Sequence, residues 1–280
     1  MAQKAKPQVT SERGSAISYE PEPGRKESCQ EGTVGCFVQA ESLVNQEGRG
    51  GRSSRGGEVP EVCILTAQHI FDSSTTGPLA REKTGKIYIN PSSRPTLIAT
   101  RSKGVFGGHV IIRNGKQKKV GVDAAFVPIQ TSSPPISDGF TPLLLHHEQN
   151  LYNQIVEKKG YVTGTTEGIV VETDFVINFA GQLGGECLLV KVRENGGFSI
   201  FGDKGDSGSL VIHRCHDDRI EAIGILSQKL EEWQTPDEVH HDIAIIVLLK
   251  NCFDALQSKY GKILKLDSNW ERSKISPIFC

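Results

Sequence analysis

The chain has 280 residues, with 32 Lys and Arg against 33 Asp and Glu, and so a formal charge of −1. That balance argues against a whole-chain electrostatic grip on nucleic acid or anionic lipid and leaves only a local patch open. No uncharged apolar run approaches the roughly 18 residues that a membrane span needs. Hydrophobic residues make up 37% of the chain, and 30 glycines with 13 prolines predict many turns.

Residues 1–30 mix Lys, Glu, Ser, Pro and Gln with few large apolar groups, a composition expected to stay disordered. The first fifteen residues contain no apolar signal-peptide core, which predicts an intracellular, cytoplasmic protein. A first β unit is expected over 31–132. Its runs are Val34–Val38, Val62–Leu65, Lys86–Ile89, Val110–Ile112 and Asp123–Val127, each short, β-branched or aromatic, and bounded by Gly, Ser or Asn. Within it, 45–58 (NQEGRGGRSSRGGE) reads as a long flexible hairpin loop. The Pro-Pro and Gly punctuation of Thr131–Pro142 marks an interdomain linker, the linker proper over 133–142.

A second β unit follows over 143–262, from runs at Gln154–Gly160, Gly168–Val171, Phe175–Asn178, Cys187–Val192, Ser209–Ile212, Ala222–Leu226 and Ile243–Val247. Leu249, Cys252, Phe253, Leu256 and Tyr260 recur at three- and four-residue spacings. They predict one helix over about 248–260 that stops at Gly261 and packs on the second unit. Residues 263–280 read as a polar tail. The expected class is therefore all-β, two packed β units with a C-terminal helix.

Seven cysteines, an odd number with no CxxC pair, suggest neither a disulfide framework nor a zinc ribbon; they read as reduced, buried thiols. His213, Cys215 and His216 are ligand types, but no second ligand pair stands at a usable spacing, so no metal is expected. The doublets His146-His147 and His240-His241 read as surface residues. The segment Gly48–Gly57 has an RGG-like composition that can hold RNA by arginine stacking. With three arginines it reads first as a solvated loop, and nucleic acid is not an expected partner.

Three segments carry chemistry: Ile64-Leu-Thr-Ala-Gln-His69, Val122-Asp123-Ala-Ala-Phe-Val127, and Gly202-Asp-Lys-Gly-Asp-Ser207-Gly-Ser-Leu-Val211. A serine hydroxyl is a poor nucleophile until a base takes its proton, and histidine is the usual base. The imidazole in turn needs an anion on its other nitrogen to fix the tautomer. Glycines around Ser207 permit a tight turn whose amides, at Gly205 and Ser207, could hold an oxyanion.

Gly205-Asp-Ser-Gly-Ser-Leu-Val211 resembles the nucleophile motif of chymotrypsin/trypsin-like serine peptidases, Leu65–His69 their histidine motif and Asp123-Ala-Ala125 their aspartate strand. The order His, Asp, Ser is that family's order. Gly224-Ile-Leu-Ser227 is similar to the strand along which that family lays its substrate backbone. Val156–Gly160 with Thr163–Gly168 resembles a hairpin of the bacterial-type and plant-type members. The resemblance spans roughly residues 32–260. It implies two six-stranded Greek-key β-barrels, a His69–Asp123–Ser207 triad, an oxyanion hole at Gly205 and Ser207, no cofactor, and a protein or peptide substrate. It also implies substrate contacts at Ser227, Gln228 and Lys229, with Phe201 at the base of the side-chain pocket and Lys229 able to attract an acidic side chain. Ile70 stands where secreted members carry a cysteine, and no activation site precedes the first unit. The resemblance is thus to a disulfide-free, non-zymogen, intracellular type in which the loop is held by other contacts, or ordered by substrate or partner, and Asp206 shapes it. A catalytically silent binding module on the same fold is the open alternative, and an RNA-associated protein a third reading.

Overall fold

The structure, a computed structural model, describes residues 14–21, 30–42, 61–71, 81–90, 95–129, 143–145, 150–179, 181–194, 197–217, 219–236 and 238–266. The expected 45–58 loop, the 133–142 linker and the His146-His147 doublet lie outside the described residues.

In chain order the strands are β1 (Ala16–Pro21), β2 (Gln30–Thr33), β3 (Cys36–Ser42), β4 (Glu61–Thr66), β5 (Arg81–Asn90), β6 (Thr96–Arg113) and β7 (Lys116–Pro128). They continue as β8 (Leu143–Leu145), β9 (Ile155–Gly160), β10 (Gly164–Phe179), β11 (Gln182–Val192), β12 (Leu210–Arg214), β13 (Ile220–Gln234) and β14 (Val239–Leu248). The helix α1 (Leu249–Tyr260) and β15 (Lys262–Leu266) complete the described fold. A 3₁₀ turn, Gln68–Ile70, follows β4.

The pairings close two barrels. In the second, β9 pairs β10, β10 pairs β11, β11 pairs β14, β14 pairs β13, β13 pairs β12, and β12 returns to β9. In the first, β2 and β3 act as one bent strand. β1 pairs β2, β3 pairs β4, β4 pairs β7, β7 pairs β6, β6 pairs β5, and β5 returns to β1. Numbered along the chain within each barrel, both circuits run 1-2-3-6-5-4. The molecule is therefore all-β, two barrels of one topology with a C-terminal helix, and closure removes the open edges that invite aggregation.

Alternation explains the second barrel's core. Val156, Val170, Leu188, Val190, Phe201, Val211, Ile223, Leu226, Ala244 and Ile246 fill its interior. The intervening Cys187, Leu189, Ile243, Ile245 and Val247 join the larger core shared with the first barrel and the helix. β11 and β14 are thus buried on both faces, which is why Ile243–Val247 reads as an unbroken apolar run.

Several expectations change. Residues 1–30 are not uniformly outside the fold, because Ile17 and Tyr19 on β1 are buried and extend the first barrel below residue 31. Nor are 263–266 a polar tail, because β15 pairs antiparallel with β3 and its Leu264 is buried. Residues 267–280 lie outside the described residues. Gly168–Val171 and Phe175–Asn178 are one bulged strand, β10. The helix packs chiefly over β6 and β7 of the first barrel and less extensively on β13 and β14 of the second, the unit it was expected to cover. Tyr260 anchors it there, its hydroxyl 2.9 Å from the Gly104 carbonyl and its ring edge-on to Phe126. His240 is only 11% exposed and stacks on Trp233, so only His241 of that pair is a surface residue. The described cysteines form no disulfides, and burial pushes Cys63 and Cys187 up to about 12.

The barrels meet at backbone distance. β11 and β7 touch at Gly185 and Val120, and a Cβ on Gly184 would lie 2.5 Å from the Gly121 Cα. Across the same junction Arg113 donates to Glu186, Asn251 and Asp254, tying β6 to β11 and the helix. Among the described residues no helix is long and apolar enough to cross a membrane.

A methyl group on Gly121 would sit 2.6 Å from the Cys187 sulfur and 2.8 Å from the Phe179 ring. Gly121→Ala is expected to lower stability by about 1–3 kcal/mol through overpacking, read as a lower urea midpoint with unchanged slope.

Candidate functional site

The site lies where the barrels face each other. β4 pairs β7 with Thr66 opposite Ala125, so the turn after β4 brings His69 beside Asp123. Asp123 is fully buried, and a carboxylate there needs donors. Its Oδ2 accepts from His69 Nδ1 at 2.6 Å and from the Ser227 hydroxyl at 2.5 Å, and its Oδ1 accepts from the His69 amide at 3.1 Å. Burial alone would raise the Asp123 pKa, but the charge and hydrogen bond of His69 and the Ser227 hydroxyl outweigh it, and the net direction is down. Burial likewise works against a charged His69, but the Asp123 charge and hydrogen bond prevail and lift its pKa above the ordinary histidine value. With Nδ1 committed to Asp123, Nε2 is the ring atom left to exchange a proton. The side chain is 29% exposed, so that proton can reach the cleft.

Ser227 is placed by an irregularity. The β13–β14 register shifts between Leu226 and Gln228, a bulge at Ser227. Bulges re-aim side chains next to sites. Here the Ser227 hydroxyl is sent to Asp123 while its carbonyl accepts the Ser207 hydroxyl at 3.3 Å. One residue therefore touches the anion of the first barrel and the serine of the second.

Ser207 sits on the tight loop before β12. The Asp206 amide donates to the Asp203 carbonyl, the Ser209 amide to the Asp206 carbonyl, and the Gly208 amide to the Leu226 carbonyl. The amides of Gly205 and Ser207 take no part in this web and are the loop's two candidate oxyanion donors. Gly208 has φ +93°, and a Cβ there would fall 2.2 Å from Thr66 Oγ1 and 2.5 Å from the Thr33 carbonyl. Only glycine lets the loop close on the first barrel at that point.

Behind the loop lies a second buried carboxylate, Asp206, with no side-chain exposure. Oδ1 accepts from the amides of Val162 and Thr163, and Oδ2 from the Asp203 amide, the Thr163 hydroxyl and Lys158 Nζ at 3.0 Å. Lys158 is equally buried, donates also to the Thr163 hydroxyl and the Gly164 carbonyl, and lies 6.0 Å from the Phe201 ring centroid. Burial would raise Asp206, but the Thr163 hydroxyl and Lys158 reverse it and hold the carboxyl below its ordinary range. For Lys158 burial prevails over Asp206 and lowers its pKa.

The remaining expected substrate residues fall differently. Phe201 is wholly buried in the second barrel's core, its carbonyl taken by the Thr166 hydroxyl at 2.5 Å, so its side chain is not the floor of an open pocket. Its position before Ser207 faces the barrel interior. Lys229 is paired to Asp242 at 2.6 Å, so its charge is already compensated, and Gln228 beside it is half-buried. Of the ligand-type residues His213, Cys215 and His216, His213 donates Nδ1–H to the Ile155 carbonyl, and no group of three ligand-type side chains converges among the described residues.

No family model matches the sequence, and no curated protein matches it. Solved structures do resemble it. A glutamic acid-specific serine protease, described as using a histidine triad in substrate binding, is 14% identical with a TM-score of 0.47, over 91% of this chain and all of that one. Thermobifida fusca Protease A is 15% identical with a TM-score of 0.44, over 91% of this chain and 100% of that chain. Cellulomonas bogoriensis chymotrypsin is 14% identical with a TM-score of 0.44, over 92% and 99%. The likeness is one of fold.

Lys158 and Thr163 stand in the sequence only as members of a hairpin, with no role at the site, although Lys158 carried a signal. Val156, Lys158 and Gly160 share the inward phase of β9, and a lysine on a buried phase must have an anion waiting.

Removing that cation isolates the Asp206 charge. Lys158→Met is expected to cost about 3–5 kcal/mol in urea unfolding, and Lys158→Met with Asp206→Asn to cost less than the single variant. Because the Asp206 pKa is depressed on folding, its stabilisation should be complete above about pH 4 and be lost as pH falls toward the folded value.

Proposed function

We propose that the chain is a serine endopeptidase that cleaves peptide bonds through an acyl-enzyme. The observation that carries this reading is the buried Asp123–His69 pair joined through Ser227 to Ser207. Ser207 supplies the nucleophile, His69 the base and Asp123 the anion that orients the imidazole and stabilises it when charged.

In the first half-reaction the Ser207 hydroxyl leaves the Ser227 carbonyl and gives its proton to His69 Nε2 while Oγ attacks the substrate carbonyl carbon. The new oxyanion is held by the amides of Gly205 and Ser207. His69 then donates the proton to the leaving amine as the C–N bond breaks, leaving an ester on Ser207. In the second half-reaction water gives a proton to His69 and attacks the ester, and the same proton returns to Ser207 Oγ as the acid product departs. Every proton is carried by His69, so the cycle calls on no cofactor. A peptide lying along Ser227–Lys229 would present its carbonyl to Ser207, consistent with a protein or peptide substrate.

A fluorophosphonate probe should label the wild type and fail on Ser207→Ala; no label on either would favour a silent binding module. Hydrolysis should rise with pH as His69 loses its proton, with a midpoint above the ordinary value of about 6.5, because its pKa is raised. A rate flat between about pH 5 and 8 would sink the histidine base. Asp123→Asn is expected to lower kcat by about 10⁴-fold in steady-state assays.

A further inference from the structure

Each barrel holds half of the site, so the distance from Ser207 to His69 depends on what registers one barrel against the other. Thr33, at the end of β2 in the first barrel, is completely buried and spends its polar atoms on that junction. Its amide donates to the Ser207 carbonyl at 2.8 Å. Its hydroxyl donates to the Gly205 carbonyl at 2.9 Å and accepts from the Tyr161 amide at 3.1 Å. Its carbonyl accepts from the Thr66 hydroxyl at 2.7 Å.

These partners fix three things. The Gly205 and Ser207 carbonyls belong to the peptide groups on either side of the one that carries the Ser207 amide. The Ser209 amide and hydroxyl, on the Asp206 carbonyl, hold that middle peptide. Thr33 therefore sets the planes that flank an oxyanion donor. Tyr161 opens the turn whose next two amides grip Asp206, so the hydroxyl also ties that turn to the loop. Thr66 lies three residues before His69, so the Thr33 carbonyl ties the same point to the histidine's strand. Only a hydroxyl can donate to one backbone group and accept from another at this point, and valine of the same shape can do neither.

We propose that Thr33 is a positioning residue that holds the Ser207 loop in catalytic register with His69. The role rests on the hydrolase reading above. Thr33 touches no substrate and acts through Gly205, Ser207 and Thr66.

The test uses the full chain as wild type, Thr33→Val, Thr33→Ser and Thr66→Val, each checked by circular dichroism to be folded at the assay temperature. The readouts are fluorophosphonate labelling rate, kcat, KM and the pH midpoint. Thr33→Val should slow labelling and kcat by about 10- to 100-fold, the scale of a small misplacement of reacting groups. KM should stay within about twofold and the pH midpoint should not move, since the His69–Asp123 pair is untouched. Thr33→Ser should recover most of the rate, and Thr66→Val, which cuts only the tie to the histidine's strand, should slow labelling in the same direction. A folded Thr33→Val that labels at the wild-type rate overturns the proposal, as does a Thr33→Ser as slow as Thr33→Val. Should Thr33→Val not fold, Thr66→Val and Thr33→Ser decide: wild-type labelling by Thr66→Val overturns the role, and slowing there with recovery in Thr33→Ser supports it. Absence of label on the wild type removes the hydrolase reading and this role with it, whereas a labelled wild type with unchanged variants removes the role alone.

Discussion

A carboxylate with no access to water sits behind Ser207, and the loop that carries this serine is built around keeping it charged. Moving an ion of that size into a protein interior costs several kcal/mol unless donors surround it. Asp206 meets that cost with three backbone amides, a hydroxyl and the Lys158 ammonium, drawn from β9, the turn after it and the loop itself. None of the five can leave without depriving a fully buried charge of a donor. The donors that solvate the carboxylate are thus the same contacts that fasten the loop to β9 and its turn.

The two halves of the site are held by different physics. In the first barrel, Asp123 lies on the buried stretch of β7, and strand pairing with β4 delivers His69 to it. In the second, a loop is fastened to a buried ion pair. Ser227 reaches across by virtue of a single bulge, and the close approach of Gly208 to Thr33 and Thr66 leaves no room for a side chain at that glycine. Backbone contacts of this kind, here and at Gly121 and Gly184, tolerate little drift between the barrels, because close-packed interiors deform in steps and not smoothly.

Much of this was legible in the sequence. His69 follows a short apolar run, Asp123 lies within one and Ser207 stands just before one, and local pattern is what a sequence displays best. The strand content was legible for the same reason. What stayed hidden depends on partners distant in the chain. Ile17 and Tyr19 alternate as a strand should, but four residues of pattern were masked by the Lys, Glu and Pro around them. Ser227 was visible as a substrate-strand residue and not as a neighbour of Asp123, because a one-residue bulge leaves no mark on composition. Phe201 shows the converse: counting back from Ser207 gives a position and says nothing about which way the ring faces. The helix was found from its period, but its period fits either barrel, and contacts distant in the chain, Tyr260 on the Gly104 carbonyl and Arg113 on Asp254, decide between them.

The last described strand carries a consequence for synthesis. β15 lies along β3, although more than 200 residues separate them in the chain, and it follows directly on the helix that covers the first barrel. Translation runs from the N-terminus, so β3 leaves the ribosome long before its outer neighbour exists. A nascent chain therefore carries an uncovered β3 edge throughout elongation, and that flank of the first barrel is sealed only after the whole second barrel has been made.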